Sequence, residues 1–245
     1  MSLAADPEVR QVLVVVNDDE SQLRRFEPWL ADLGAHITFV TGDEVPETVD
    51  GYDGIVLLGG GFMPDDYERA PWLVQERSLA EDAIRSGTPL LGICLGAQLL
   101  AQVAGGVVKA SEGAPEWGST PINLLPAAAD DPIFAGLPST IPMIEHHRDR
   151  ITELPGDAVH LAASDACPIQ AFRVGAAAWG VQFHPEQYAA RLRTWNADAL
   201  ARNGVDLAEL VETATANEPE AESAAWQLLT AWVAVLSETQ VHVRR

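Results

Sequence analysis

The chain has 245 residues, with 15 basic against 36 acidic side chains and a formal net charge of −21. Hydrophobic residues make up 47% and charged residues 21%, enough apolar material for a real core, which excludes a disordered or collagen-like chain. The acidic excess argues against a nucleic-acid partner, because phosphates are bound by clustered Lys and Arg, and against docking on an anionic membrane. Two cysteines, Cys94 and Cys167, make no disulfide framework in a chain of this length. Residues 1–10 contain no apolar core of a secretory signal, and no apolar run approaches the roughly twenty residues of a membrane helix. The expected setting is reducing and cytoplasmic.

Along the chain, Val12-Leu13-Val14-Val15-Val16 is an unbroken apolar run that suits a strand buried on both faces of a parallel sheet. Leu23, Phe26, Leu30 and Leu33 then recur at helical spacing, and strands are expected over 36–41 and 54–58, the second ending in Gly59-Gly60-Gly61. A helix over 71–86, a strand over 89–93 and a helix over 95–103 follow. Pro71 stands where a helix start tolerates it. This rhythm predicts an α/β fold: an open, mostly parallel, flavodoxin-like sheet flanked by helices on both faces. From 107 to 183 the chain breaks into short β-like pieces, among them 120–125, 141–145 and 158–163, read as the far side of the sheet and a small antiparallel extension. A last strand over 177–183 leads into His184. Helices are expected over 186–202, 207–215 and 218–237, with Asn217 and Glu220 shaped as a capping box. The organisation expected is one domain over 1–245, with a core over about 10–202 and a helical extension over about 203–245.

The chemistry concentrates in Gly92-Ile93-Cys94-Leu95-Gly96-Ala97-Gln98. A Cys where a buried strand turns into a helix, with glycines two residues to either side, has the form of a nucleophile elbow. The helix N-terminus supplies free amides and partial positive charge, both of which favour thiolate. An inert buried thiol is the reading of a lone Cys; the glycine frame shifts the balance towards a nucleophile. His184-Pro185-Glu186, at the end of the last strand, supplies a base and a carboxylate to orient it, a Cys-His-Glu relay. An oxyanion hole is expected from the Leu95 amide, with a second amide from the glycine loop. That loop lacks the spacing of a phosphate cradle. Cys167 has no base near it in sequence and reads as a packed thiol.

Gly59-Gly60, the Gly92–Gln98 stretch and His184-Pro185-Glu186 together resemble the class I glutamine amidotransferases, in particular the free-standing, GMP-synthase-like members. Arg69-Ala70-Pro71-Trp72 and the segment from Ala166 to Phe172 extend the likeness. The resemblance implies Cys94 as nucleophile, His184 as base and Glu186 as its orienter. It places the amides of Gly60 and Leu95 in the oxyanion hole, and Gly59 and Gln98 at the substrate. No cofactor and no metal are expected. The substrate implied is glutamine or a γ-glutamyl amide, cleaved through a thioester. The chain leaves no room after its last helix for an ATP-using domain, so any ammonia-accepting synthase is expected on another polypeptide. A γ-glutamyl hydrolase acting on a glutamylated amine is the alternative enzyme. Two rivals, a flavodoxin-like redox protein and a non-catalytic interaction subunit, leave the three catalytic residues without a task.

Three departures from the family pattern stand beside these motifs. The family commonly has Gly-Gly-Pro where this chain has Gly59-Gly60-Gly61. It often has Gly-Trp where this chain has Trp117-Gly118. A His-x-His-Gly-Asp segment reads here Glu145-His146-His147-Arg148-Asp149. His147 and Asp149 fit that last pattern, Glu145 and Arg148 do not, and none of the changes touches the three catalytic residues.

Overall fold

The computed structural model describes residues 9–243, with side chains through 236. Residues 1–8, which carry most of the expectation about a secretory signal, lie outside the described residues. Among those described, no helix is long and apolar enough to cross a membrane.

Among the described residues, nine strands form one sheet. In chain order they are β1 (Arg10–Val16), β2 (Ala35–Thr41), β3 (Gly54–Leu57), β4 (Leu90–Ile93), β6 (Glu116–Leu124), β7 (Thr140–His147), β9 (Val159–Ala163), β10 (Ala171–Val174) and β11 (Ala178–Val181). Their spatial order is β2-β1-β3-β4-β11-β10-β9-β6-β7. The first five run parallel, and from β11 onwards each neighbouring pair is antiparallel. A separate ribbon pairs β5 (Val107–Lys109) with β8 (Arg150–Glu153). The expected parallel core with an antiparallel extension is therefore one continuous mixed sheet plus a small ribbon.

The apolar runs predicted as strands are buried on both faces because helices cover both. Side chains alternate across a strand, so Val12 and Val14 join Leu91, Ile93, Trp179 and Val181 in one core layer, while Leu13 and Val15 join Ile55, Leu57 and Leu90 in the other. Helices α2 (Leu73–Ser86) and α3 (Leu95–Val103) cover the second layer, and α1 (Phe26–Asp32) covers part of the first. Pro71 precedes α2 by two residues instead of opening it, and Gly87 closes that helix with a left-handed φ of 75°.

Two helical expectations need correction. The stretch 186–202 is a 3-10 turn over Ala189–Thr194 and a short helix α4 (Ala197–Ala201). Glu186 is held against His184, the Glu186 carbonyl accepts from Arg25 N, and Trp195 is extended; Asn196 then restarts the helix by capping Ala199 N at 3.0 Å. The helices expected over 207–215 and 218–237 are one helix, α5 (Leu207–Val243), continuous through Pro219. Its first half packs Leu210, Val211 and Ala214 on Ile144, Ala189 and Leu192; its second half buries Leu228, Leu229, Trp232 and Leu236 in the first core layer. Packing on both sides outweighs the hydrogen bond that Pro219 cannot donate. Asn217 caps nothing and instead donates to Ser119 Oγ at 3.0 Å. Side chains of residues 237–243 lie outside the described residues.

Candidate active site

β3, β4 and β11 lie side by side and parallel, so the segments leaving their carboxyl ends converge. β3 delivers Gly59-Gly60-Gly61, β4 delivers Cys94 and β11 delivers His184. All of these, with Glu186 and Gln98, line one cavity of about 670 Å³.

The elbow is strained at the cysteine itself: Cys94 has φ 52° and ψ −105°, a backbone conformation that side chains rarely adopt. The flanking glycines make room for it. A Cβ on Gly92 would stand 2.6 Å from backbone atoms of Gly96, and one on Gly96 would stand 2.3 Å from the Leu57 carbonyl oxygen. Cys94 N donates to Val181 O at 2.8 Å, which ties the elbow to β11. Leu95 opens α3, so its N–H has no intrahelical acceptor. Gly60 packs beside it: a Cβ there would meet Leu95 Cδ2 and Asn17 Cβ, each at 2.9 Å.

His184 N donates to Ile144 O at 2.8 Å, and its Nδ1 lies 2.8 Å from Glu186 Oε1. Burial alone would depress the imidazole. The Glu186 charge, the Glu186 hydrogen bond and the neighbouring Cys94 sulfur outweigh that and hold its pKa well above the ordinary value. Gly59 closes the arrangement, since a Cβ there would stand 3.2 Å from His184 Cε1 and 3.5 Å from Cys94 Cβ. The structure thus brings together Cys94, His184, Glu186, Gly59, Gly60 and Leu95. Gln98 is adjacent, but its amide nitrogen is committed to Asp149 O and Gln182 Oε1, at 3.0 and 3.2 Å.

Several contributors were not foreseen from sequence. Asp18 accepts from Gly61 N at 3.0 Å, Ser21 Oγ donates to Gly59 O, and Arg69 reaches Gly61 O at 3.3 Å, so the glycine loop is tethered from three directions. Beneath it, Asn17 accepts from Trp72 Nε1 at 2.9 Å and donates to Leu58 O at 3.0 Å. The Arg69–Trp72 motif is therefore a brace for this loop. Asn17 also bonds Glu76 at 3.4 Å, whose carboxyl is pushed up to about 8 by burial, against the opposing effect of the Asn17 bond. Gln182 donates to Cys94 Sγ at 3.5 Å. A polar residue inside the apolar run before His184 was the signal available for it.

One departure from the family pattern, Glu145, lies in a buried cluster behind the relay. His147 Nε2 lies 3.0 Å from Glu116 Oε2 and 3.4 Å from Glu145 Oε2. Burial, then the Glu116 charge, holds the Glu145 carboxyl well above its ordinary pKa. Glu116, His147 and Cys167 bring possible metal-ligand atoms within 4.8 Å of one another. Protein groups already engage them. Glu116 accepts from Ser164 at 2.6 Å and Gln170 at 2.9 Å, and the Cys167 thiol donates to Ile169 O at 3.4 Å. Cys167 is fully buried, which pushes its thiol up to about 12; it is a packed thiol. At the cavity mouth, Trp117 lies under Arg148 at 5.4 Å, and His146 stacks on Trp195 at 4.5 Å. His146 is exposed at its edge but Trp195 covers one face of its ring; that loss of water, then the charges of His184, His147 and Arg148, push its pKa down to about 4.

The family description "Glutamine amidotransferase class-I" matches residues 15–200, more than half of the chain and all of the residues just placed. The chain belongs to the class I glutamine amidotransferases. It is 37% identical over 154 residues to a subunit of the glutamine-hydrolyzing GMP synthase of Methanopyrus kandleri, spanning 60% of this chain and 76% of that one. It is 30% identical over 241 residues to a γ-glutamyl-L-1-hydroxyisopropylamide hydrolase of a Pseudomonas species, spanning 95% of this chain and 76% of the relative. Among solved structures, a glutamine amidotransferase of Thermotoga maritima superposes with a TM-score of 0.81 at 27% identity, covering 92% of this chain and 99% of its own.

Proposed function

We propose that this amidotransferase cleaves the γ-amide of glutamine with Cys94 as nucleophile, His184 as acid and base, and Glu186 as the group that orients His184. The observation that carries the reading is the placement of a strained cysteine at the N-cap of α3 beside a partly buried imidazole whose far nitrogen is held at 2.8 Å by a carboxylate. Cys94 Sγ attacks the amide carbon, and the carbonyl electrons move onto oxygen, facing the Leu95 and Gly60 amides. The tetrahedral adduct collapses, the C–N bond breaks, and His184 gives its proton to the departing ammonia. Water then gives a proton to His184 and attacks the thioester; the C–S bond breaks, releasing glutamate and restoring the thiolate. The free Oε1 of Gln98 is a candidate acceptor for the substrate's amino group. In this reading the whole chain acts as one unit, needs no cofactor, and passes ammonia to a synthase on another chain. The similarity to one subunit of a GMP synthase supports that partner class.

A second reading has an observation of its own. The similarity to the γ-glutamyl amide hydrolase runs through the C-terminal helix, and α5 presses Leu210 into the space left by Gly118, next to Trp117 at the mouth. A cavity of about 670 Å³ also falls in the range that encloses drug-sized ligands. Both favour a γ-glutamyl substrate whose amine is larger than ammonia, resting against Trp117, His146 and Trp195. Measuring glutamate release from glutamine and from a panel of γ-glutamyl amines separates the two. Fast turnover of glutamine alone supports the first, and a strong preference for an amine supports the second. A glutamine-mimicking electrophile should label Cys94 and spare Cys167; labelling centred on Cys167 would overturn both.

A further inference from the structure

Gln182 stands at the end of β11, two residues before His184, with 1% of its surface exposed. Its backbone N–H is fixed to Gln170 O at 2.8 Å, and its side chain lies between two groups of the site. Nε2 reaches Cys94 Sγ at 3.5 Å, and Oε1 accepts from Gln98 Nε2 at 3.2 Å. Gln98 Nε2 also donates to the Asp149 carbonyl at 3.0 Å.

This chain of contacts has a fixed polarity. A backbone carbonyl can only accept, so Gln98 must turn its NH₂ group towards Asp149. The same NH₂ reaches Gln182, which must answer with its carbonyl oxygen. The NH₂ of Gln182 is then left pointing at the sulfur. Reversing the Gln182 amide would set two donors against each other at Gln98 and an oxygen against Cys94. His147 Nδ1 lies 3.1 Å from the same Asp149 oxygen, so it too must donate there. The segment that fixes the polarity is thereby held from the buried Glu116–His147 cluster.

We propose that Gln182 is a further catalytic residue, whose side-chain N–H donates to the Cys94 sulfur and holds it as a thiolate, and that Gln98 is the positioning residue that fixes the direction of that amide. The inference rests on Cys94 being the nucleophile. A neutral donor suits the place: it offers a partly positive hydrogen to the sulfur without burying a second cation beside His184. It also leaves the helix-terminal amides free for the substrate oxygen. Gln98 then serves both the substrate and the thiolate, which explains why its nitrogen is turned away from the cavity.

The test is the pH profile of Cys94 alkylation by iodoacetamide, followed by peptide mass spectrometry, which needs no substrate. Gln182→Met removes the donor, and Gln182→Glu keeps the acceptor for Gln98 while facing the sulfur with a carboxylate. The profile should move to higher pH by about one unit in Gln182→Met and further in Gln182→Glu, which means about tenfold slower labelling at pH values below the midpoint of the unaltered chain. Gln98→Met, which frees the amide to rotate, should move it in the same direction by less. In the unaltered chain, the Gln182 side-chain NH₂ resonance should shift along the same pH profile. An unchanged profile in either folded Gln182 variant, or a pH-invariant resonance in the unaltered chain, overturns the inference while leaving Cys94 as nucleophile. Absence of Cys94 labelling in the unaltered chain overturns the nucleophile itself.

Discussion

Gly96 lies so close to Leu57 that a β-carbon on it would stand 2.3 Å from the Leu57 carbonyl oxygen. The contact joins α3 to β3, the strand that delivers the glycine loop, while the helix itself begins immediately after the cysteine. One close approach therefore sets the distance between nucleophile and loop. Neither Gly92 nor Gly96 has a positive φ; the unusual dihedral belongs to Cys94 between them. The glycines of the motif supply space, and the cysteine carries the strain.

Gly96→Ala should accordingly be among the most damaging single-methyl changes in the chain. The atom in the way is backbone, which cannot move aside as a flexible side chain can. Overpacking of this kind costs about 3 kcal/mol or more. Chemical denaturation is the measurement, with Gly87→Ala as a reference for ordinary loss of a left-handed cap. A Gly96→Ala chain as stable as the parent would remove the argument for close approach.

His184 and Glu186 should differ in what their loss does. His184→Ala removes the group that moves the proton and should reduce turnover to background. Glu186→Gln keeps a hydrogen-bond partner at about the same place and should retain measurable activity, lower by roughly 10⁴-fold. The 2.8 Å contact at Nδ1 is the reason for the ranking. Steady-state rates of both folded variants check it, and equal total loss would contradict it.

How much of this was legible in the sequence follows from which interactions are local. Strands such as β1, β3 and β4 are read easily because burial on both faces leaves unbroken apolar runs. Cys94, His184 and Glu186 are read easily because short motifs at strand ends carry them. The antiparallel half is harder: β6 and β7 are half-exposed, and their register pairs Glu116 with His147 across a gap no local pattern spans. In sequence α5 reads as two helices because Asn217 and Glu220 have the local signature of a capping box, whereas Glu218 between them ties the helix to Arg25 at 2.6 Å and to Ala189 N at 2.7 Å. The tethers of the glycine loop escaped for the same reason. Asp18 looks like the end of a strand until Gly61, 43 residues later, folds onto it.

Glu76 should make stability depend on pH in a direction opposite to that of an ion-paired carboxylate. It is fully buried, one oxygen bonds Asn17, and the other has no partner. Its folded pKa of about 8 lies above the ordinary 4.5, so between those values the folded chain binds more protons than the unfolded chain. Stability must then fall as pH rises from about 4.5 through 8. Glu76→Gln cannot ionise, so its advantage over the parent should grow across that interval, reaching a few kcal/mol (about 1.4 per unit). Denaturation of both chains at pH 5 and pH 8 gives the comparison, and a constant difference would show that Glu76 does not titrate there.

The strain at Cys94 leads to a test that reverses a familiar order. In most ordered positions Gly is less stable than Ala, because its unfolded chain has more freedom to lose. At φ 52° and ψ −105° an alanine keeps the steric conflict that the cysteine has, whereas glycine has no β-carbon to conflict. Cys94→Gly should therefore be more stable than Cys94→Ala, by about 1 kcal/mol, although both lose the sulfur and its bond to Gln182 equally. Thermal melts of the two variants decide it. If alanine is the more stable, the conformation is not strained, and the elbow holds its cysteine without cost to the fold. If glycine is, part of the stability of the sheet is spent on keeping the sulfur turned towards His184.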